Sequence, residues 1–171
     1  RLVGSATSPH LVGDRSGRDW TEPMQAYAKR RVGELGTMNL AGYVLKKDSP
    51  SCGMERVRVY PSKGKAPNRN GRGMFAQVLL DASPLLPIEE EGRLNDPKLR
   101  DNFIERIFAY QRWNTLLDDH PSVGKLVAFH ATHKFVLMAH SEPHLRQLGR
   151  LVASAKGRPL REALEEYGHL F

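Results

Sequence analysis

The sequence predicts an α/β segment, incomplete and built on a small parallel or mixed sheet, followed by an all-α helical segment. Up to residue 92, short runs of β-type apolar residues alternate with amphipathic helical patterns. From residue 95 onward every apolar pattern has helical spacing. The predicted domains are therefore residues 1–92 and residues 95–171, and a chain of 171 residues can accommodate both.

The elements of the first domain follow from local patterns. Residues 1–18 predict a loop, because Gly, Ser, Pro and Asp recur there without periodicity. A helix is expected from Asp19 or Thr21 to Gly36, with either of the first two residues as its cap. After it we predict a buried strand at 42–46, an extended segment with one wet face at 57–60, a mobile basic loop at 61–73, a helix at 74–80 and a last strand at 85–88.

Four helices are predicted in the second domain. Asn95-Asp96-Pro97 starts the first, with a cap followed by proline. Pro121 is expected to open the second, which runs to His140 and is apolar nearly all round, as is typical of a central buried helix. Ser141 caps the third, and Pro159 opens the fourth.

Composition restricts the function classes. The net charge is +7, and residues 1–73 hold 14 Lys and Arg against 6 Asp and Glu. A solvated basic surface explains this excess better than nucleic-acid binding, because no recognition motif accompanies it. In the basic loop, Lys63, Lys65, Arg69 and Arg72 are the residues that could contact phosphate. No apolar run reaches the roughly 18–20 residues of a membrane helix, so a cytoplasmic location without membrane contact is expected.

The start of the sequence and the small number of predicted strands indicate that the first domain is incomplete. The chain begins at Arg1, without an initiator Met or an apolar signal segment. Two or three strands make a narrow sheet with exposed edges, so one or more βα units are expected to precede Arg1. The helical domain is also a candidate for truncation.

The loop Ser49-Pro50-Ser51-Cys52-Gly53 directly follows a predicted strand and is the first candidate site. Catalytic groups favour the carboxyl ends of strands in α/β sheets. Pro50 restricts the backbone of this loop, whereas Gly53 permits a left-handed turn or a close approach. The positive charges of Lys46 and Lys47 would favour a thiolate at Cys52. The alternative is that this single cysteine is a small buried hydrophobic residue.

Residues 43–54, Tyr-Val-Leu-Lys-Lys-Asp-Ser-Pro-Ser-Cys-Gly-Met, resemble the hallmark of the thiouracil desulfurase (desulfidase) family. Residues 92–97 with 102–106 resemble the join to a C-terminal YbgA-like helical domain of unknown function in bacterial two-domain proteins. Residues 129–134 with 137–141 are similar to the signature of that second domain.

The resemblance implies a [4Fe-4S] cluster held by three cysteines, with an open iron that takes the sulfur of a thiolated pyrimidine before C–S hydrolysis. It assigns one cluster ligand to Cys52 and a catalytic role to Ser49, with Ser51 and Gly53 as weaker candidates. The other two cysteines and the catalytic acid would lie before Arg1. We therefore expect no stable cluster and no desulfidase activity in this chain alone, whereas the full-length protein is the candidate enzyme.

A second candidate site is a histidine stripe on the second helix of the helical domain. His130, His133 and His140 lie within about 80° of one helix surface. His133 and His140 are roughly 10.5 Å apart along the axis, so His130 and His133, with Glu105 as a carboxylate donor, make the better metal site. The favoured alternative is that these are hydrogen-bonded core histidines.

Two functions follow from these observations. The first is a fragment of an enzyme that acts on a small thiolated nucleobase-like substrate. The second is a non-catalytic binding or regulatory protein whose helical domain recognises a partner or nucleic acid. The oligomeric state is left open by the sequence.

Overall fold

A computed structural model describes residues 1–61 and 66–171 of the chain. Lys63 and Lys65 of the predicted basic loop lie outside these residues. The chain forms two compact units, residues 1–107 and residues 108–171. The division falls within one helix, α3, which spans Pro97–Asp118. The domain limits near residues 92–95 stay a prediction.

The first unit contains the described strands, arranged in two small sheets. Its elements are β1 Leu2–Gly4, β2 Pro9–Leu11, α1 Thr21–Gly36, β3 Tyr43–Leu45, β4 Val57–Tyr60, β5 Asn68–Gly71, α2 Met74–Ala82 and β6 Ile88–Glu90, followed by the first part of α3. One sheet has the order β2-β1-β4-β5, and β1 and β4 are parallel whereas the other neighbours are antiparallel. The second sheet is the parallel pair β3-β6.

The mixed sheet followed by helices confirms the predicted fold class. The predicted loop at residues 1–18 is wrong, because β1 and β2 pair within it and β1 adds to β4 through Leu2 and Val59. Part of the basic loop is also a strand, since Arg69 in β5 pairs with Arg58 in β4. β1 has three residues and β5 has four, and β5 has no apolar side chain, so pairing with β4 defines these strands more than their own patterns do.

Two other strand predictions change in detail. The strand near residue 43 is not fully buried, because the Val44 side chain is half exposed in β3. The last strand begins at Ile88 and includes Glu89 and Glu90, which were expected to follow it. One hydrophobic cluster of this unit lies where β1, β4 and α2 meet and consists of Leu2, Val57, Val59 and Met74. Further apolar side chains are buried in α1, α2, β3 and β6.

The helical unit follows the predicted pattern closely. A single 3-10 turn, Arg93–Asn95, precedes α3. The Ser122 and Ser141 side chains cap α4 and α5 by accepting backbone N–H groups of Lys125 and His144. Helix α4 therefore begins at Val123, two residues after the predicted opening at Pro121. The helices are α3 Pro97–Asp118, α4 Val123–His140, α5 Glu142–Ser154 and α6 Leu160–Leu170, with a 3-10 turn at Ala155–Gly157.

Helix α4 is not the buried central helix that its composition predicts. One face is buried, through Leu126, Phe129, His133 and Leu137. On the opposite face the Phe135 side chain is 75% exposed. An all-round apolar helix thus buries a single stripe here, so composition alone did not determine its burial.

Within the described residues, none of the helices combines the length and the apolar character needed to cross a membrane.

Candidate functional site

The candidate site is the loop Ser49–Gly53, which leaves the carboxyl end of β3. Strands β3 and β6 are parallel, with Leu45 paired to Glu90 at this end. In parallel α/β sheets, loops at the carboxyl ends of strands carry ligands and catalytic groups. The short β3 therefore places the loop where the sequence analysis expects chemistry.

The Ser49 side chain holds the loop in a tight turn. Its Oγ accepts hydrogen bonds from the backbone N–H groups of Ser51 at 3.3 Å and Cys52 at 3.2 Å. The Gly53 N–H donates to the Ser49 carbonyl oxygen at 2.8 Å. These local bonds are the type that serine makes in turns, and they bring Ser49, Ser51 and Cys52 together as predicted.

A chain of polar side-chain atoms leads from Ser49 to the thiol. Ser49 Oγ lies 3.1 Å from Ser51 Oγ, which lies 3.3 Å from Cys52 Sγ. Because Ser49 Oγ already accepts two backbone N–H groups, its own proton is best donated to Ser51, whose proton then faces the sulfur. Cys52 is a free cysteine with a partly exposed side chain. Its thiol therefore lies near the protein surface and is in hydrogen-bond contact with Ser51.

The loop is packed against the first turn of α2. The N–H groups of Phe75 and Ala76 donate to the Ser51 carbonyl at 2.9 and 3.1 Å, and the Met74 N–H donates to Pro50. These bonds satisfy N–H groups that a helix start leaves unpaired. A Cβ at Gly73 would lie 2.4 Å from the Ser51 carbonyl oxygen, so glycine is required for this contact.

The lysines before the loop are arranged differently from the sequence expectation. Lys46 Nζ forms an ion pair with Glu91 at 2.9 Å, and the same carboxylate accepts the Lys47 N–H at 2.6 Å. The hydrogen bonds from Lys46 and then from the Lys47 backbone lower the pKa of Glu91. Lys46 is thus neutralised by a neighbour, whereas Lys47 has no side-chain partner among the described residues.

Tyr43 of β3 lies near the Cys52 thiol. Burial, and secondarily the charge of Cys52, raise the pKa of Tyr43. Tyr43 therefore stays neutral and packs against Phe75 of α2, with ring centroids 6.1 Å apart.

Two buried carboxylates beside the loop were missed by the sequence analysis. Glu90 is 3% exposed, and its Oε1 accepts the Met54 N–H at 2.7 Å. Glu89 Oε1 accepts the Glu90 N–H and binds Arg93 Nε at 2.7 Å, a bond that is the main cause of the raised pKa of Arg93. The sequence signal for this ion pair was the position of Arg93 four residues after Glu89. That spacing predicts an ion pair only once the end of β6 is known.

The histidine stripe has the contacts of core histidines. His130 Nδ1 lies 3.2 Å from the Tyr167 hydroxyl, and His133 Nδ1 donates to the Phe129 carbonyl at 2.8 Å. Burial, then the charges of Lys134 and His133, lower the pKa of His130. Across residues 1–61 and 66–171, no three His, Cys, Asp or Glu side chains are grouped as metal ligands.

His133 nevertheless has one unusual atom. Its Nε2 is buried and has no hydrogen-bond partner within the described part of the chain. Since Nδ1 faces a carbonyl, the proton belongs on Nδ1 and Nε2 is a bare acceptor. His140 is exposed, and Glu105, the predicted carboxylate donor, belongs to the other compact unit.

The fold and the loop define an α/β segment with a strand-end thiol, followed by a helical segment. The family model for 2-thiouracil desulfurase matches residues 1–91. The chain therefore belongs to the 2-thiouracil desulfurase family. A second family model, for a protein of unknown function (DUF1722), matches residues 134–171. The resemblance predicted from the loop and from the histidine-containing helix is confirmed.

The chain is also similar to a bacterial relative. The "Uncharacterized protein YbgA" of Escherichia coli (strain K12) is 35% identical over 60 residues, which are 35% of this chain and 36% of that protein. The chain thus spans about a third of the length of the relative it matches. No solved structure matches the chain.

The described residues do not form a complete site for an iron–sulfur cluster. Cys52 is the single cysteine of the sequence, and a cluster with one open iron needs three protein thiolates. The partly exposed thiol suits one ligand position, and no other described side chain joins it.

Proposed function

We propose that this chain is part of an iron–sulfur-dependent desulfidase that removes sulfur from a thiolated pyrimidine or a similar small molecule. The observation that supports this proposal is the Ser49–Cys52 loop, which lies inside the family match and at the carboxyl end of β3. The partial exposure of Cys52 is what a ligand facing an open cavity requires. Such chemistry belongs to a cytoplasmic protein, because solvent-exposed clusters and thiols persist in reducing compartments.

In this proposal Cys52 supplies one ligand, and further cysteines come from outside these residues. The cluster, when bound, supplies a Lewis-acidic iron that accepts sulfur. Ser49 is the catalytic candidate, because its hydroxyl is connected to the thiol through the Ser51 hydroxyl and is oriented by two backbone N–H groups. Ser51 links the two through its own hydroxyl, and Gly53 allows the tight turn.

The proposal predicts different iron binding and different activity for this chain and for a longer protein that contains it. A single thiolate does not retain a four-iron cluster, so the 171-residue chain is expected to bind no stoichiometric iron and to release no sulfide. A longer protein that adds the missing ligands is expected to do both. Neither the expected iron binding nor the expected sulfide release depends on the helical unit.

The test is anaerobic reconstitution of both proteins with iron and sulfide, followed by assay of sulfide release from thiouracil. The longer protein should become brown and release sulfide, and Cys52→Ala should lose both properties. Ser49→Ala should retain colour and lose activity by at least tenfold, a typical loss for a group that acts in proton transfer. Ser49→Thr, which keeps a hydroxyl, and Ser83→Ala, outside the loop, are the controls.

A colourless longer protein that releases no sulfide would contradict the proposal. In that case the binding or regulatory function becomes the better interpretation. It would be recognised by nucleic-acid binding that weakens steeply with salt.

A further inference from the structure

A charged cavity lies beside the Ser49–Gly53 loop and is separate from it. Its volume is about 210 Å³, and Lys47, Asp48, Glu55, Arg56, Arg69, Glu90 and Arg93 line it. Every lining residue is charged, and neither Ser49 nor Cys52 is among them. This volume is below the roughly 300–1,000 Å³ of sites for drug-sized ligands, so the cavity suits a small ion or a single functional group.

The carboxylates of this cavity already have donors. Asp48 Oδ1 binds Arg69 Nη1 at 3.0 Å, and Glu55 Oε1 binds Arg93 Nη1 at 2.8 Å. Glu90 is buried and accepts the Met54 N–H. Each acidic group thus holds a donor from the protein, which reduces its attraction for a cation from solvent.

Two cations of the cavity have no such partner. Neither the Lys47 ammonium nor the Arg56 guanidinium forms an ion pair or a side-chain hydrogen bond with any described residue. Both groups only donate hydrogen bonds, and both are charged at neutral pH. These two side chains therefore offer hydrogen-bond donors and positive charge to the cavity, which is the complement of an oxyanion.

The backbone at Arg56 supports a role in binding. Arg56 has φ +57°, in the left-handed region that bulky residues rarely adopt. This conformation carries a cost that glycine would avoid, and such costs are found most often at ligand sites. The Lys47 stem packs over Gly92, where a Cβ would lie 2.8 Å from Lys47 Cδ, and this contact restricts the conformations of the side chain.

We propose that Lys47 and Arg56 form a binding site for a small oxyanion of the phosphate type, either the free ion or a phosphoryl group. The site is independent of the proposed desulfidation, and its test needs neither a cluster nor an activity assay. Arg69 and Arg93 form ion pairs with Asp48 and Glu55, which leaves the charges of Lys47 and Arg56 to bind the anion.

The test is calorimetric titration of the 171-residue chain with inorganic phosphate at fixed ionic strength. Saturable binding is expected, and Lys47→Gln and Arg56→Gln should each weaken it by about tenfold or more. Arg58→Gln is the matched control, because Arg58 is exposed on β4 and does not line the cavity. This variant removes the same charge and should leave the affinity within about twofold.

Further titrations distinguish the sources of the anion. Methyl phosphate binding as well as phosphate indicates a phosphoryl group, whereas binding of phosphate alone indicates the free ion. Acetate should bind more weakly than phosphate, since it carries one charge and fewer acceptors. The proposal is overturned if phosphate does not saturate, if acetate binds equally well, or if Arg58→Gln weakens binding as much as the cavity variants. Circular dichroism spectra of the variants establish that each is folded.

Discussion

Gly73 shows how closely the candidate loop approaches the helix behind it. A side chain at this position would meet the Ser51 carbonyl oxygen at 2.4 Å and the Cys52 nitrogen at 2.7 Å. Both atoms belong to the backbone of the loop and are held by hydrogen bonds, so neither moves easily. The absence of a side chain at Gly73 therefore allows the loop that carries Cys52 to pack against the start of α2.

We expect Gly73→Ala to reduce the free energy of unfolding by about 2 kcal/mol, because overpacking against fixed backbone forces a shift. Urea denaturation followed by circular dichroism measures this loss. Gly33→Ala is the control, since nothing lies within 4 Å of its added Cβ and the site is inside α1. There the change should stabilise by about 0.5–1 kcal/mol, as alanine does in helix interiors. Equal effects of the two variants would contradict the packing argument.

At the scale of elements, Glu91 joins the ends of the β3-β6 pair. It follows β6, and its carboxylate binds the Lys46 ammonium and the Lys47 N–H beyond β3. These bonds keep the pKa of Glu91 below its ordinary value of 4.5. A lowered carboxyl pKa in the folded state means that the contribution to stability is present above that ordinary value and is lost as pH falls through the folded-state pKa.

Glu91→Gln should therefore be less stable than the parent chain at neutral pH, and the difference should shrink below pH 4.5. Thermal unfolding across this pH range measures both effects. Asp101→Asn serves as control, because Asp101 is exposed and has no partner among the described residues. A difference that stays constant from neutral to acidic pH would show that the Glu91 charge is not the cause.

Helix α4 contains an unsatisfied acceptor in its buried face. His133 packs against Phe129 at a ring distance of 4.1 Å and against Phe171 at 5.2 Å, and its Nε2 has no hydrogen-bond partner in residues 1–61 and 66–171. Burying an unpaired acceptor costs stability, and an apolar ring of similar size removes that cost. The helix keeps its backbone hydrogen bonds in either case.

We expect His133→Phe to leave the free energy of unfolding unchanged or to raise it by up to about 1 kcal/mol. Urea denaturation with and without added zinc measures this effect and also tests the metal hypothesis for His130 and His133. Phe129→Leu is the matched change at a neighbouring core position, where a loss is expected. A stabilisation by zinc that His133→Phe abolishes would restore the metal interpretation.

At the scale of the whole molecule, the two compact units have separate cores. Trp113 is buried in the helical unit and stacks on Tyr167 with ring centroids 5.3 Å apart. Its edge also meets Phe129 at 5.2 Å, so the indole joins three helices of that unit. The hydrophobic cluster around Leu2 and Val59 in the first unit shares none of these residues.

Trp113→Ala should cost about 3–5 kcal/mol, typical for a buried aromatic residue, and this loss should be confined to residues 108–171. Hydrogen exchange with mass spectrometry locates the lost protection. Trp20→Ala, at a half-exposed position, is the control and should change little. Loss of protection throughout residues 1–107 would show that the chain unfolds as one cooperative unit.

Local patterns predicted what depends on neighbouring residues in the chain. The helix from Thr21 to Gly36 and the cap at Ser141 match their predictions, because propensity and capping act over a few residues. The hydrogen-bonded loop from Ser49 to Cys52 is similarly local. Strands β1 and β5 were missed, since each has only three or four residues and is defined by its pairing with β4.

The sequence by itself determined the order of helices, the Ser-Pro-Ser-Cys loop after a strand, and membership of a family through that loop. Only the tertiary structure decided that Lys46 is paired, that Glu90 is buried, and that Lys47 and Arg56 share a cavity. The reason is that helix formation and turns are governed by contacts within a few residues. Burial and charge pairing depend on which distant segments meet, and no local pattern encodes that encounter.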